Sequence, residues 1–152
     1  MTHFIKSLLN RNLLVPVAFT VALAPQALMA ADELCPRENA TFRGTYVVYG
    51  TGTRAGVGPV AAVGEITSDG KGNTFATYAA SVNGVIHPKI VVTGSYTVNG
   101  DCTGSSAESD GSHYNFVVAP DGSKVTWIRT DKDFVTSGTE VRLKHLREED
   151  EE

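Results

Sequence analysis

Short runs rich in Val, Thr, Tyr and Ile fill the chain between Thr41 and Leu146, and turn dipeptides separate them. No stretch of this region has the periodicity of an amphipathic helix, so the runs are predicted to be strands. The eight predicted strands lie near residues 41–49, 57–67, 74–82, 88–98, 102–108, 113–119, 124–130 and 138–146. The turn dipeptides tolerate the positive φ angles of tight hairpins, and they are Asp69-Gly70, Asn83-Gly84, Asn99-Gly100, Asp110-Gly111 and Asp121-Gly122.

The predicted strands follow one another through hairpins, which is the order of a meander. Closing a meander into a barrel removes the unpaired edges that would otherwise promote aggregation. The sequence therefore predicts an all-β fold, an eight-stranded antiparallel up-and-down barrel with one buried face. Alternation groups Ile90, Val92, Tyr96 and Val98 on one face of the fourth strand, and Val125, Trp127 and Arg129 on one face of the seventh. In the last strand, the apolar Val141 and Leu143 lie opposite the charged Glu140, Arg142 and Lys144.

The first thirty residues differ from the rest of the chain. They contain Lys6 and Arg11, no acidic residue, an apolar run from Leu13 to Leu23, and small residues up to Ala30. This order is typical of a secretory signal peptide, and the run is too short and too interrupted by proline for a membrane anchor. The expected organisation is a signal peptide over 1–30, one barrel domain over 31–146 and an acidic disordered tail over 147–152, in a secreted or periplasmic protein without a stable membrane anchor.

The two cysteines lie at corresponding places in the meander. Cys35 precedes the first strand and Cys102 begins the fifth. Because all odd-numbered strands of an up-and-down barrel start at the same end, both cysteines are expected at one pole. A disulfide between them is the usual outcome in a secreted chain, and it would close that end of the barrel. Two separate buried thiols are the alternative.

Charge and motifs exclude several classes of function. The chain has a net charge of −4 and no basic patch, so nucleic acid is not an expected partner. The segment "GTGTRAG" lacks the Lys-Ser/Thr of a phosphate-binding loop, and no nucleophile-elbow motif is present. His87, His113 and His145 do not have metal-ligand spacing. No metal and no cofactor are expected.

The same parity argument sorts the hairpin loops into two sets. Short turns lie at the cysteine pole, whereas the opposite pole is predicted to hold longer loops with Arg54, His87, Asp131, Asp133 and Phe134. Longer loops at one rim indicate an entrance to a cavity, although a small barrel can also be filled by its own side chains. The residues predicted to contact a ligand are Tyr46, Tyr78, Tyr96, Asn115, Trp127 and Arg129.

Polar residues inside strand runs are the weak catalytic candidates. They are Glu65, His113 and Arg129, and Asn115 shares a face with His113. If these faces point inward, each charge needs a partner or a ligand, because an unpaired buried charge is costly. If they point outward, the residues are simply solvated, and a shift of one residue in register reverses every face.

Four segments carry a resemblance to a known class: "FRGTYVVYG", "GEITSDGKGN", "GSYTVNGDCTGS" and "FVVAPDGSKVTWIRTD". From Thr41 to Leu143 the chain resembles small secreted bacterial proteins, largely uncharacterised, of the allene oxide cyclase-like barrels, a lipocalin-like class. The resemblance implies a barrel that holds a small apolar molecule, and the plant enzymes of the class cyclise an unstable fatty-acid epoxide. No plant catalytic residue is carried over. Avidin-like barrels are a rival, but they line their site with several tryptophans and this chain has only Trp127.

Three candidate functions are compatible with the sequence. The first is a carrier for a small apolar or amphipathic molecule. The second is an isomerase or cyclase of the allene oxide cyclase-like type, with Glu65 or His113 as acid or base and Arg129 or Tyr96 as electrostatic partner. The third is a filled barrel that acts through its surface. An internal cavity favours the first two, and a buried titratable pair inside it favours the second over the first. The sequence predicts neither the ligand nor the oligomeric state.

Overall fold

The barrel closes because each strand pairs with its neighbours in sequence and the last strand returns to the first. The computed structural model describes residues 33–144. All eight pairings are antiparallel, which confirms the predicted up-and-down barrel. A short 3-10 helix, Glu38–Thr41, precedes the strands β1 Arg43–Arg54, β2 Gly58–Asp69, β3 Asn73–Val82, β4 Val85–Val98, β5 Thr103–Glu108, β6 His113–Val118, β7 Lys124–Arg129 and β8 Phe134–Arg142.

The predicted difference in loop length between the two poles is wrong. At the pole opposite the cysteines the connections are 55–57, 83–84, 109–112 and 130–133, and at the cysteine pole they are 70–72, 99–102 and 119–123. The segments assigned to long loops continue as strand, since Arg54 pairs with Phe134 and Thr53 with Val135. Backbone pairing with a neighbouring strand outweighs the low strand preference of the glycines in this region. The difference lies between strands instead, because β1 to β4 contain 10 to 14 residues and β5 to β7 contain 6 each.

Inward-facing positions follow the predicted alternation in β4 and β7 but not in β8. Val92, Tyr96 and Val125 are buried, in agreement with the predicted faces. In β8, Val141 is 53% exposed while Glu140 is only 8% exposed. Pairing of Glu140 with Val48 and Val125 places it on the inner face, so the apolar side of this strand points to solvent. Alternation defines two faces of a strand, and the register with its neighbours decides which of them is inside.

The closed end of the barrel is the cysteine pole. The predicted disulfide between Cys35 and Cys102 is present, and the backbone N–H of Cys35 donates to the carbonyl of Gly100 at 2.8 Å. The 3-10 helix then lays the chain across this end, where the side-chain oxygen of Asn39 accepts a hydrogen bond from the N–H of Val98 at 2.7 Å. The buried Ser68 hydroxyl donates to the carbonyl of Phe42 at 2.6 Å. These partners satisfy the buried polar groups that they join, which is what a stable seal requires.

Two predictions concern segments outside the described residues. The signal peptide over 1–30 and the acidic tail over 147–152 both lie there and remain predictions. Within 33–144, no helix is long and apolar enough to cross a membrane.

Candidate functional site

A cavity of about 340 Å³ lies inside the barrel. This volume falls in the range of pockets that hold small molecules. The cavity begins above Phe42 and reaches the strand ends opposite the disulfide, where Arg54 and Asp110 are exposed to solvent. The barrel is therefore not filled by its own side chains. Its apolar walls come mainly from β1 to β4 and consist of Val48, Val60, Ala62, Ile66, Ala76, Ala80, Val82, Ile90 and Val92.

The floor of the cavity is aromatic. The ring of Phe42 packs against Tyr46 and Tyr96 at centroid distances of 5.0 Å and against Phe116 at 5.8 Å. These four residues form the aromatic floor. The hydroxyl groups of the two tyrosines turn toward the closed end, where Tyr46 donates to the carbonyl of Gly122 at 2.9 Å and Tyr96 to that of Phe42 at 2.8 Å. Tyr46 and Tyr96, both predicted ligand contacts, thus support the cavity from below and are not part of its lining.

Trp127 forms a large part of the remaining wall. Its ring lies over the inward-facing Gly138 of β8, the neighbouring strand, and over Gly50 of β1, the strand beyond it, and a Cβ atom at Gly50 would come within 2.5 Å of that ring. Glycine at these positions leaves the space that the indole occupies. Tyr114 meets the same indole edge to face, with centroids 5.1 Å apart. Trp127 was predicted from the sequence and Tyr114 was not, although Tyr114 shares the inner face of β6 with Phe116.

Besides the exposed Asp110, two carboxyl groups line the cavity, and neither was a candidate from the sequence. Glu140 belongs to β8, and Glu108 is the last residue of β5. The carboxylate of Glu108 lies over Gly94, where a side chain would collide with it, and its Oε2 atom accepts a long hydrogen bond of 3.5 Å from the Thr74 hydroxyl. The Oε2 atom of Glu140 is buried without any hydrogen-bond partner among the described residues. Glu108 and Glu140 are called the carboxyl pair below.

Burial changes the protonation of both acids. Burial raises the pKa of Glu140 to about 8, and the negative charge of Glu108 adds to the effect. Burial, and then the charge of Asp110, also raise the pKa of Glu108. Within 33–144, no basic side chain lies within ion-pair distance of either carboxyl. Glu140 is therefore mostly protonated at neutral pH, and it can donate a proton or hydrogen bond to a molecule in the cavity.

The mouth of the cavity is defined by Arg54, Asp110, Arg129 and Phe134. The guanidinium of Arg129 lies 3.6 Å from the centroid of the Phe134 ring, and that of Arg54 lies 5.1 Å from it. The Nε of Arg129 also donates to Asp131 at 2.6 Å. Arg54 and Phe134, which were predicted at the entrance, line the cavity. His87 was predicted beside them, but it is exposed and does not belong to the lining.

Three of the polar candidates lie on the outer surface. Glu65, His113 and Asn115 are exposed, because their strands place them on the face opposite the cavity. His113 reaches Arg129 only through Asp131, whose Oδ1 lies 2.8 Å from the His113 Nδ1 atom. Although burial alone raises the pKa of Asp131, hydrogen bonds from His113 and Arg129 lower it to about 2. Of the three catalytic candidates, only Arg129 therefore lines the cavity.

The phenol groups of Tyr78 and Tyr114, in the cavity wall, are held in their neutral form. Burial, reinforced by the charge of Asp110, raises the pKa of Tyr78 to about 12. Burial also raises the pKa of Tyr114. Tyr78 is a predicted ligand contact that does line the cavity, and its hydroxyl lies 3.5 Å from the carboxylate of Asp110. Both phenols can therefore donate hydrogen bonds at any physiological pH.

The cavity offers acid–base groups and hydrogen-bond donors. In residues 33–144, no group of three or more His, Cys, Asp or Glu side chains is arranged to hold a metal ion. What the arrangement can do chemically is enclose an apolar molecule, orient it by a few polar contacts, and exchange protons with it near neutral pH.

Fold and cavity together define the class as a closed antiparallel up-and-down β-barrel with an internal space of ligand size. No protein-family model matches the chain, and no curated protein matches it. Among solved structures, the chain is similar to a de novo designed fluorescence-activating β-barrel, with a TM-score of 0.45 and 14% identity. That similarity covers 68% of this chain and 94% of the designed one. None of these comparisons names the allene oxide cyclase-like class.

Proposed function

We propose that this protein is a carrier that binds a small, largely apolar molecule inside its barrel. The cavity of about 340 Å³ is the observation that carries the proposal, since its walls are mostly aliphatic and aromatic. Moving an apolar molecule from water into an apolar space of this kind is favourable. Trp127 and Tyr78 contact the bound molecule from the wall, and Arg129 contacts it at the mouth.

We further propose that the carrier works in the periplasm or outside the cell. The basic, apolar and small-residue segments of the first thirty residues support this location. The disulfide supports it as well, because such bonds persist in oxidising compartments. Intact mass spectrometry of the exported protein is expected to find a chain that starts at or near Ala31 and lacks free thiols. A mass that includes residues 1–30 contradicts the location.

Tryptophan fluorescence tests the carrier proposal, because Trp127 is the single tryptophan and lies in the cavity wall. Titration with fatty acids, terpenoids, aromatic acids and alkylamines is expected to give saturable binding to at least one class. Trp127→Phe removes the signal, and calorimetry then confirms that binding itself continues.

A matched pair of variants locates the bound molecule. Ala62 lines the cavity, while its neighbour Ala61 is exposed on the outer face of β2. Ala62→Phe is expected to weaken binding about tenfold or more by filling the space, whereas Ala61→Phe adds the same ring outside and leaves binding unchanged. Equal effects of the two variants, or no binding by any class of compound, contradict the proposal.

The carboxyl pair favours a second candidate function, acid–base isomerisation or cyclisation in the same cavity. Two titratable groups with raised pKa values in an apolar space are a recurrent feature of catalytic sites. The resemblance to allene oxide cyclase-like barrels supports this candidate too. An enzyme converts a bound compound, so mass spectrometry of the compounds recovered after binding separates the two functions. Conversion that Glu140→Gln abolishes, with binding retained, supports the enzyme, and recovery of every compound unchanged supports the carrier.

A further inference from the structure

The buried oxygen of Glu140 points to a missing hydrogen-bond partner. The side chain is 8% exposed, it lines the cavity, and its Oε2 atom has no partner among the described residues. Nearly all buried polar atoms in proteins have a partner, and leaving one without a partner lowers stability. The cavity is the space beside this group that a partner can enter, so a bound molecule can supply the missing hydrogen bond.

Glu108 adds a second carboxyl group with too few donors. Its hydrogen bond from Thr74, at 3.5 Å, is long for an oxygen–oxygen pair. The two arginines that line the cavity are engaged at the mouth, since Arg129 bonds Asp131 and both guanidinium groups stack on Phe134. The inner part of the cavity therefore has acidic groups without a cation from the protein.

The presence of carboxyl groups without a protein cation indicates which polar group the bound molecule carries. A fatty acid would bring a third carboxyl group beside the pair, which is unfavourable at low dielectric. An alcohol would supply one donor and no charge. A protonated amine supplies up to three donors and the missing positive charge. The rings of Trp127 and Tyr114, which line the same space, are surfaces to which a cation is also attracted.

On the basis of the proposed carrier function, we infer that the barrel selects a small apolar amine whose ammonium group binds between Glu140 and Glu108. Glu140 pairs with Val48 and Val125, both of which line the cavity, and Val125 is buried. The nitrogen therefore lies in the inner part of the cavity and the apolar body extends toward the mouth. This orientation also keeps the ammonium away from Arg54 and Arg129.

A matched series of compounds tests the inference. Decylamine, decanol and decanoic acid share one apolar body and differ in the polar group, so calorimetry at pH 7 isolates the contribution of that group. Decylamine is expected to bind about tenfold or more tightly than decanol, and decanoic acid to bind most weakly. Equal binding of decanol, or a preference for decanoic acid, overturns the inference and leaves the carrier proposal standing. If none of the three compounds binds, the inference is overturned, and the carrier proposal fails with it only if the wider panel also gives no binding.

Variants of the carboxyl pair identify the partner of the amine. Glu140→Gln and Glu108→Gln each keep the shape of the side chain and are expected to remove most of the preference for decylamine over decanol. Glu38→Gln is the control, because Glu38 is exposed in the 3-10 helix outside the cavity. Circular dichroism checks that each variant is folded. A preference for decylamine that survives both cavity variants overturns the inference.

Proton release gives an independent measurement. A cation beside Glu140 favours its charged form, so binding of decylamine at pH 7 is expected to release about one proton. Heats measured in two buffers with different ionisation enthalpies give this number, and release should disappear in Glu140→Gln. Binding without any proton release overturns the placement of the ammonium at Glu140. The other charged or titratable groups that line the cavity are Glu108, Asp110, Tyr78, Tyr114, Arg54 and Arg129.

Discussion

The closed end of the barrel and the cavity above it differ in how completely their buried polar groups are hydrogen-bonded. At the closed end, a disulfide, a 3-10 helix and the aromatic floor are joined by hydrogen bonds that satisfy Asn39, Ser68 and the two floor tyrosines. One hydroxyl of the closed end, that of Thr41, is buried without a partner, whereas in the cavity above the floor a carboxyl oxygen of Glu140 is buried without one and Glu108 has only a long hydrogen bond. Local violations of the rules of stable packing are typical of functional sites. The comparison indicates that the closed end supplies stability and that the buried acids of the cavity lower it, which is consistent with the proposed binding function.

The largest effect is expected from opening the closed end. Cys35→Ser with Cys102→Ser removes a bond between residues 67 apart in the chain. The chain-entropy relation gives a loss of about 4 kcal/mol in the free energy of unfolding, measured by urea denaturation. If the variant still folds, its cavity should bind the same compounds. A loss below about 1 kcal/mol would show that the remaining contacts of the closed end suffice alone.

Removing the buried acid is expected to act in the opposite direction. Because the pKa of Glu140 rises from an ordinary 4.5 to about 8 in the folded state, the wild-type protein loses stability as pH increases between these values. Glu140→Gln lacks this loss, so it should be clearly more stable than wild type at pH 9 and differ little from it at pH 4. Thermal unfolding across the pH range measures the effect. Glu65→Gln removes an exposed charge and should show no such trend, and a similar trend in both variants would refute the explanation.

A smaller effect is expected from crowding the carboxyl pair. A Cβ atom at Gly94 would collide with the carboxylate of Glu108 and with the Thr74 hydroxyl. Gly94→Ala is therefore expected to lower the free energy of unfolding by about 1–3 kcal/mol and to weaken binding by displacing Glu108. Gly100→Ala is a matched control at the closed end, because its new atom would meet only the flexible side chain of Glu33. Unchanged binding in Gly94→Ala would exclude Glu108 from the site.

The smallest effect is expected at the mouth. Asp131→Asn weakens a partly exposed pair with Arg129, and such pairs contribute about 0–1 kcal/mol. Because the pKa of Asp131 is lowered to about 2, this contribution is present above its ordinary value of 3.8 and is lost as pH falls toward 2. Stopped-flow fluorescence should detect faster ligand entry, since the Arg129 side chain over Phe134 becomes freer. An unchanged rate of ligand entry together with a large loss of stability would show that these mouth residues stabilise the fold and do not control entry.

The fold could be predicted from sequence more fully than the site. Turn dipeptides and strand composition indicated the eight strands, and the parity of a meander placed Cys35 beside Cys102. The carboxyl pair was missed because alternation along a strand does not say which face is inside. In β8 the apolar Val141 is outside and Glu140 inside, the reverse of the expected order. The same ambiguity made Glu65 a candidate, although it is exposed.

Glycines carried a signal that the sequence analysis did not use. Gly94 lies inside a strand opposite Glu108, and Gly50 and Gly138 face the ring of Trp127. A glycine within a barrel strand can mark the place where a large side chain from a neighbouring strand needs room. Which side chain fills that room depends on the pairing of strands, and only the structure supplies the register.

A crystal structure of the protein with decylamine tests the central claim most directly. The account predicts electron density for one molecule inside the barrel, with the nitrogen within hydrogen-bond distance of Glu140 and the chain directed past Trp127 toward the mouth. The closed end should be unchanged. Density for decylamine on the outer surface alone, with the interior collapsed around the side chains of the wall, would contradict the account.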